Sequence, residues 1–319
     1  MIGGRIRVSS RRAFAVLGLG AIASFVTLQA CGANNHGDPG ADVPPTTDTE
    51  GTADEAAELA LEDAAKTAVD SRRASEIGTL EEGSLVDRGV VVDNVLHDTA
   101  EGDIHFSLHV PDSYDGTRPF ALYVHCPGWE GLWFQGVGAH LVVDFVFVAN
   151  DYVAEMIVAT PQLDDWEETS ARKAILLTEW LMTAYAVDPS RVYLSGYSGG
   201  GETVSLVMGM RPELFRRALH MSSQWDGDKG VLVAAQVPVR LSIGEADDYY
   251  GSGPAMRAAE DIRARYEDAG LSSERIDELL VLDVKPTSYF TDQGHGDQHG
   301  GGALLFAHDA GIMGWLFGE

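Results

Sequence analysis

Residues 191–202 read Arg-Val-Tyr-Leu-Ser-Gly-Tyr-Ser-Gly-Gly-Gly-Glu, and this stretch decides the fold. Arg191–Ser195 is a short apolar run with β-forming residues and predicts a strand. Glu202–Met210 predicts a helix that stops at Pro212. Between them, Gly196-Tyr197-Ser198-Gly199-Gly200 has the form G-x-S-x-G. A strand that turns sharply into a helix strains the residue at the apex and needs neighbours without side chains. Gly199, Gly200 and Gly201 meet that need. Ser198 Oγ then projects above the sheet edge. The Gly199 amide, at the helix start, faces any negative oxygen that develops there.

Working outward, strands are predicted over Val90–Leu96, Ile104–Val110, Phe120–Cys126, Met156–Thr160, Arg217–Met221, Val237–Ile243 and Leu279–Val284. Thr169–Tyr185 is helical, with Ala174, Leu177, Leu181 and Ala184 on one face. Pro254 opens another helix that runs to Gly270, and Ala303–Trp315 is the last. Two leading strands followed by alternating strands and helices imply an α/β architecture. The sheet is mixed, mostly parallel, and covered by helices on both faces. Chemistry in such sheets sits beyond the C-terminal ends of the strands.

Val187-Asp188-Pro189-Ser190-Arg191-Val192-Tyr193 followed by GYSGGGE resembles the polyhydroxybutyrate depolymerase and feruloyl esterase group. It is also similar to bacterial prolyl oligopeptidase-like serine hydrolases. The likeness covers most of residues 85–319 and is most specific at the serine. It implies an α/β-hydrolase fold with a Ser–acid–His triad, no metal and no cofactor.

Chain order in that fold is serine, acid, histidine. His220, His295, His299 and His308 follow Ser198. His220 falls in a predicted strand and His308 in the final predicted helix. The loop DQGHGDQHGGG remains, where the resembled families carry their histidine. His299, directly before three glycines, is preferred to His295 as general base. Two histidines in a glycine-rich loop also suit a metal, but no third ligand is evident nearby. After the strand VRLSIG, Gly244-Glu245-Ala246-Asp247 has the G-x-x-D spacing of the resembled families. Asp247 is the expected acid, with Asp248 and Glu245 as adjacent alternatives.

Cys126-Pro127-Gly128-Trp129 follows the third long strand, where related hydrolases place an amide that completes the oxyanion hole. Gly128 or Trp129 is expected to donate it beside Gly199, with His125 able to orient the loop. Candidate pocket residues are Trp129, Trp133, Phe134, Tyr152, Asp164, Asp165, Trp166, Tyr197, Tyr249 and Tyr250, several of which serve core packing equally well. Cys126 ends an apolar strand and reads as an inert buried thiol.

The first 31 residues read as an address. Arg5, Arg7, Arg11 and Arg12 precede an uncharged stretch from Ala13 to Ala30. Ser10-Arg11-Arg12-Ala13-Phe14 resembles a twin-arginine export signal, although Ala15 stands where leucine is usual. Leu28-Gln29-Ala30-Cys31 resembles a lipobox, which makes Cys31 a lipidation site and the tether to a bacterial membrane. Residues 32–82 read as an acidic linker, partly helical, and 83–319 as the catalytic domain. From His36 to Glu82 there are 13 acids against 3 bases, and the whole chain carries a net charge of −27. That charge argues against nucleic-acid binding.

The expected reaction is hydrolysis of a small carboxylic ester through an acyl-enzyme. A peptidase of prolyl oligopeptidase type, with an open site for short peptides, is the second reading. An inactive surface binding protein on the same fold is the third.

Overall fold

Two adjacent strands, Phe120–Cys126 and Val187–Tyr197, show why the sheet is buried on both sides. Phe120, Leu122, Val124 and Cys126 join one apolar core, while Ala121 and Tyr123 join another. Val192 and Leu194 divide from Tyr193 and Tyr197 in the same way. Successive side chains of a strand leave on opposite faces, so a strand covered twice must be apolar throughout. The computed structural model describes residues 78–86, 89–129 and 145–318. All of them lie in one compact unit.

The strands are β1 (Thr79–Glu81), β2 (Ser84–Leu85), β3 (Val90–Asp98), β4 (Gly102–His109), β5 (Phe120–Cys126), β6 (Met156–Pro161), β7 (Val187–Tyr197), β8 (Arg217–Met221), β9 (Val239–Gly244) and β10 (Leu280–Lys285). Their order is β1-β3-β4-β6-β5-β7-β8-β9-β10, with β2 also on β3. Pairing is antiparallel from β1 to β6 and parallel from β6 through β5, β7, β8 and β9 to β10. This is the α/β-hydrolase arrangement, a mixed and mostly parallel sheet.

Helices α1 (Phe145–Tyr152), α2 (Glu168–Ala184), α3 (Gly199–Met210), α4 (Lys229–Ala235), α5 (Gly253–Asp268), α6 (Ser273–Leu279), α7 (Thr287–Thr291), α8 (Gln298–His308) and α9 (Ala310–Phe317) are described. Residues of α2, α3 and α5 fill the core that includes Leu122. Ala149 of α1, Phe306 and Ala307 of α8, and Met313 and Leu316 of α9 fill the one that includes Tyr123. Leu122 is fully buried, and truncating such a residue to alanine costs about 2–5 kcal/mol.

Three expectations are corrected. Among the described residues the sheet begins at Thr79, ahead of the expected boundary at Gly83, because β1 pairs with β3 through Glu81↔Val95. The single last helix over Ala303–Trp315 is two helices. Asp309 leaves helical geometry at φ −80°, ψ 106° and accepts from the amides of Gly311 and Ile312, capping α9. The loop around His299 is already helical from Gln298, because the Asp297 carboxylate accepts from the Gly300 amide and caps α8.

Candidate active site

Ser198 stands between β7 and α3 at φ 57°, ψ −126°. Few residues other than glycine adopt this conformation, and its cost is carried by the surrounding contacts. The Ser198 amide donates to the Met221 carbonyl at 3.0 Å, and the Gly201 amide donates back to the Ser198 carbonyl at 2.8 Å. The turn closes because strand and helix touch. A Cβ on Gly196 would lie 2.1 Å from the Gly200 carbonyl oxygen.

Ser198 Oγ is 3.0 Å from His299 Nε2. His299 Nδ1 is 2.9 Å from Asp247 Oδ2 and 3.1 Å from Oδ1. Three residues distant in sequence thus form one hydrogen-bonded line, with Ser198 at the head of α3, Asp247 after β9 and His299 in the first turn of α8. The Asp247 carboxylate is fully buried, and its Oδ1 also accepts from the amides of Tyr250 at 2.8 Å and Tyr249 at 3.1 Å. Burial alone would raise this carboxyl. The His299 hydrogen bond, the Tyr250 and Tyr249 amides and the His299 charge outweigh it and hold the carboxyl below its ordinary range.

The alternatives have other partners. Asp248 Oδ2 accepts from the Gln298 amide at 2.6 Å, at the start of α8, and Glu245 Oε1 accepts from the Thr287 amide at 2.6 Å. His220 is buried, with Nε2 2.8 Å from the Gln224 carbonyl oxygen. Burial pulls its imidazole down to about 4, against smaller raising effects from the Gln224 carbonyl and Asp226. His308 ends α8.

Aromatic rings surround the base. Tyr197 and Tyr249 lie with ring centroids 5.4 Å from that of His299, and Tyr250 at 5.7 Å. Tyr197 Oη also donates to the His299 carbonyl. Tyr249 is 71% exposed and forms an open wall beside the imidazole. Tyr250 Oη donates to Glu202 Oε1 at 2.5 Å. Burial raises the Glu202 carboxyl, Tyr250 offsets part of that, and Asp226 adds to it. The sequence reading missed this pair, although Glu202, four residues after Ser198, belongs to the first turn of α3. It also missed Gln298, which locks the loops together. Its Oε1 accepts from the Ala246 amide at 2.9 Å, and its Nε2 donates to Thr287 Oγ1 at 2.9 Å.

Gly128 lies against the serine, where a Cβ would be 3.1 Å from Ser198 Cβ. Trp129 follows it and is 54% exposed. His125 does bond, but in the direction of β7, with Nδ1 2.8 Å from Ser195 Oγ, which Tyr123 Oη also meets at 2.5 Å. Trp166 packs on the bare face of Gly199, where a Cβ would lie 2.1 Å from both Cε2 and Nε1.

The two acids that precede Trp166 have partners in the scaffold. Asp165 Oδ1 accepts from the Ser170 hydroxyl at 2.8 Å and the Glu167 amide at 3.0 Å, bracing the start of α2. Asp164 pairs with Lys173. Tyr152 packs on Phe317, with ring centroids 5.8 Å apart. The Cys126 thiol is fully buried and pushed up to about 12 by burial. Trp133, Phe134 and Cys31, with the signal segment and most of the linker, lie outside the described residues. Among the described residues no three His, Cys, Asp or Glu side chains gather as a metal site, and no helix is long and apolar enough to cross a membrane.

A strained serine, an imidazole and a buried carboxylate in this order and geometry form a Ser–His–Asp triad on the α/β-hydrolase fold. The sequence profile of the prolyl oligopeptidase family matches residues 163–226, which include Trp166 and the serine turn. Among solved structures, a thermostable esterase is similar at 19% identity and a TM-score of 0.58, over 70% of this chain and 61% of that one. The chain therefore spans less than two thirds of that relative. Oligopeptidase B from Leishmania major is similar at 14% identity and a TM-score of 0.44, over 75% of this chain and 37% of that one. A glucuronoyl esterase from Solibacter usitatus follows at 11% identity and 0.49, over 74% and 86%. No curated protein matches the sequence.

Proposed function

We propose that the protein hydrolyses small carboxylic esters through an acyl-enzyme. The observation that carries this reading is the hydrogen-bonded line from Ser198 Oγ through His299 to Asp247. Ser198 Oγ attacks the ester carbonyl carbon as its proton passes to His299 Nε2. The carbonyl oxygen takes the negative charge and accepts from the Gly199 amide and from that of Gly128 or Trp129. The C–O bond to the alcohol then breaks, and His299 gives the alcohol its proton. Water repeats the sequence on the acyl-enzyme, releasing the acid and restoring Ser198. Asp247 keeps the imidazole proton on Nδ1 and stabilises the imidazolium. Tyr249 stands beside the imidazole that protonates the leaving group.

A fluorophosphonate tests the serine. We expect one adduct at Ser198 by mass, lost in Ser198→Ala and suppressed in His299→Ala. Undiminished ester turnover in Ser198→Ala would overturn the mechanism. A panel of acyl nitrophenyl esters and proline-containing peptide anilides then separates the two bond types. The peptidase reading draws on the prolyl oligopeptidase profile at residues 163–226. Strong anilide cleavage with negligible ester cleavage would replace the esterase reading with it.

We also propose that the chain is exported and lipid-anchored at Cys31, with no nucleic-acid partner. The basic start, the uncharged run to Ala30 and the cysteine at its end support the anchor, and the net charge of −27 supports the lack of a nucleic-acid partner. The expected outcome is partition of the mature protein into detergent, lost in Cys31→Ala. Equal partition of both proteins would refute the anchor.

A further inference from the structure

We infer that Glu202 and Tyr250 are positioning residues, a strut that ties the nucleophile's helix to the acid's turn and so holds Ser198 and Asp247 at the spacing His299 must bridge. The inference rests on the acyl-transfer reading of the site. Glu202 lies in the first turn of α3, and its amide donates to the Ser198 carbonyl at 3.4 Å. Tyr250 belongs to the turn after β9. Its amide donates to Asp247 Oδ1 at 2.8 Å, and the Gly251 amide donates to the Asp247 carbonyl at 3.0 Å. The Tyr250 phenol reaches from this turn to α3, donating to Glu202 Oε1 at 2.5 Å. Hydroxyl-to-carboxylate bonds of this length are about twice as strong as neutral ones.

The strut completes a frame around the triad. Tyr197 Oη donates to the His299 carbonyl and joins the end of β7 to α8. The Ala246 amide donates to Gln298 Oε1 at 2.9 Å, and the Gln298 amide to Asp248 Oδ2 at 2.6 Å, joining α8 to the turn after β9. Glu202 and Tyr250 span the remaining side, from that turn to α3. Each pair of triad residues is thus braced by a bond outside the triad. The strut also fixes the Tyr250 ring, which lies 5.7 Å from the imidazole and 4.8 Å from the Tyr249 ring. A half-buried carboxylate costs stability when no cation pairs with it. Burial raises Glu202, and among the described residues it makes no ion pair. A residue that breaks a stability rule in this way, one turn from the nucleophile, is expected to serve the site.

Tyr250→Phe keeps the ring and removes the donor alone. We expect kcat on a nitrophenyl ester to fall about 10-fold in Tyr250→Phe and in Glu202→Leu, with KM nearly unchanged. Glu202→Gln keeps an acceptor for the phenol and should recover most of the loss. The double variant should be no slower than either single one, because both remove the same bond. The melting temperature of Glu202→Leu should hold or rise while kcat falls, whereas a merely structural residue would lose stability and activity together. Wild-type kcat in folded Tyr250→Phe would overturn the inference, whether or not Glu202→Leu folds. Losses that multiply in the double variant would overturn it as well. A wild-type protein that takes no fluorophosphonate at Ser198 would instead strike down the reading of the site.

Discussion

Replacing Ser198 by glycine should leave the protein inactive but more stable than replacing it by alanine. Both variants lose the hydroxyl and its 3.0 Å contact with His299, so that term cancels between them. They differ in what the backbone must bear. Ser198 holds φ 57°, ψ −126°, and alanine keeps the Cβ that makes this conformation costly. Strain of this kind is worth about 1–3 kcal/mol. Glycine relieves it but loses about 0.5–1 kcal/mol through the greater freedom of its unfolded chain. Roughly 1–2 kcal/mol remains in favour of glycine, or about 2–8 °C in midpoint for a body of this size. The assay is urea and thermal unfolding of the two variants side by side, with ester turnover measured on each. An alanine variant as stable as the glycine variant, or more so, would refute the idea that the turn stores strain at the nucleophile.

Asp247→Asn should cut kcat about 10⁴-fold with little change in fold. The amide would satisfy the Tyr249 and Tyr250 amides yet present N–H to His299 Nδ1, moving the imidazole proton to Nε2, where Ser198 needs an acceptor. A residual activity near wild type would remove Asp247 from its role. His220 is held neutral by burial, its ordinary 6.5 lowered to about 4. The unfolded chain therefore binds this proton first, and the contribution to stability is present above about pH 6.5 and lost as pH falls to about 4. The difference is about 3 kcal/mol, read as the change in the gap between wild type and His220→Gln in urea unfolding at pH 7.5 and pH 4.5. A gap that does not change with pH would refute it. Cys126, its thiol pushed to about 12, should resist maleimide in the folded protein at pH 8 and react once unfolded. Fast labelling of the native form would mean that β5 is not closed as described.

The strands around Ser198 were legible because each is apolar on both faces, which leaves a continuous signature in the sequence. β1 and β2 were not, because Thr-Leu-Glu and Ser-Leu sit exposed at the sheet edge and carry no such pattern. The start of α8 was hidden by Gly300, Gly301 and Gly302, which read as loop by propensity. The Asp297 cap and packing of the helix into the second core override that. Within the site, residue types and chain order named Ser198, Asp247 and His299. They did not separate Asp247 from Asp248, whose distinction is purely spatial. One carboxylate faces the imidazole, and the other faces the Gln298 amide. The tyrosines around His299 and the resting place of Trp166 on Gly199 depend on loops meeting across the sheet, and no local pattern encodes that.

The hydrogen bond between Ser198 and His299 joins residues 101 apart in the chain, and that from Tyr197 to the His299 carbonyl joins residues 102 apart. Contacts of such separation carry a high entropic cost of closure and form late in folding. The segment that brings the imidazole follows the serine by about a hundred residues, so a molecule in which that segment is not yet made or docked holds its serine without a base. Recovery of turnover should then trail recovery of secondary structure, making catalysis itself a clock for the docking of α8 and α9.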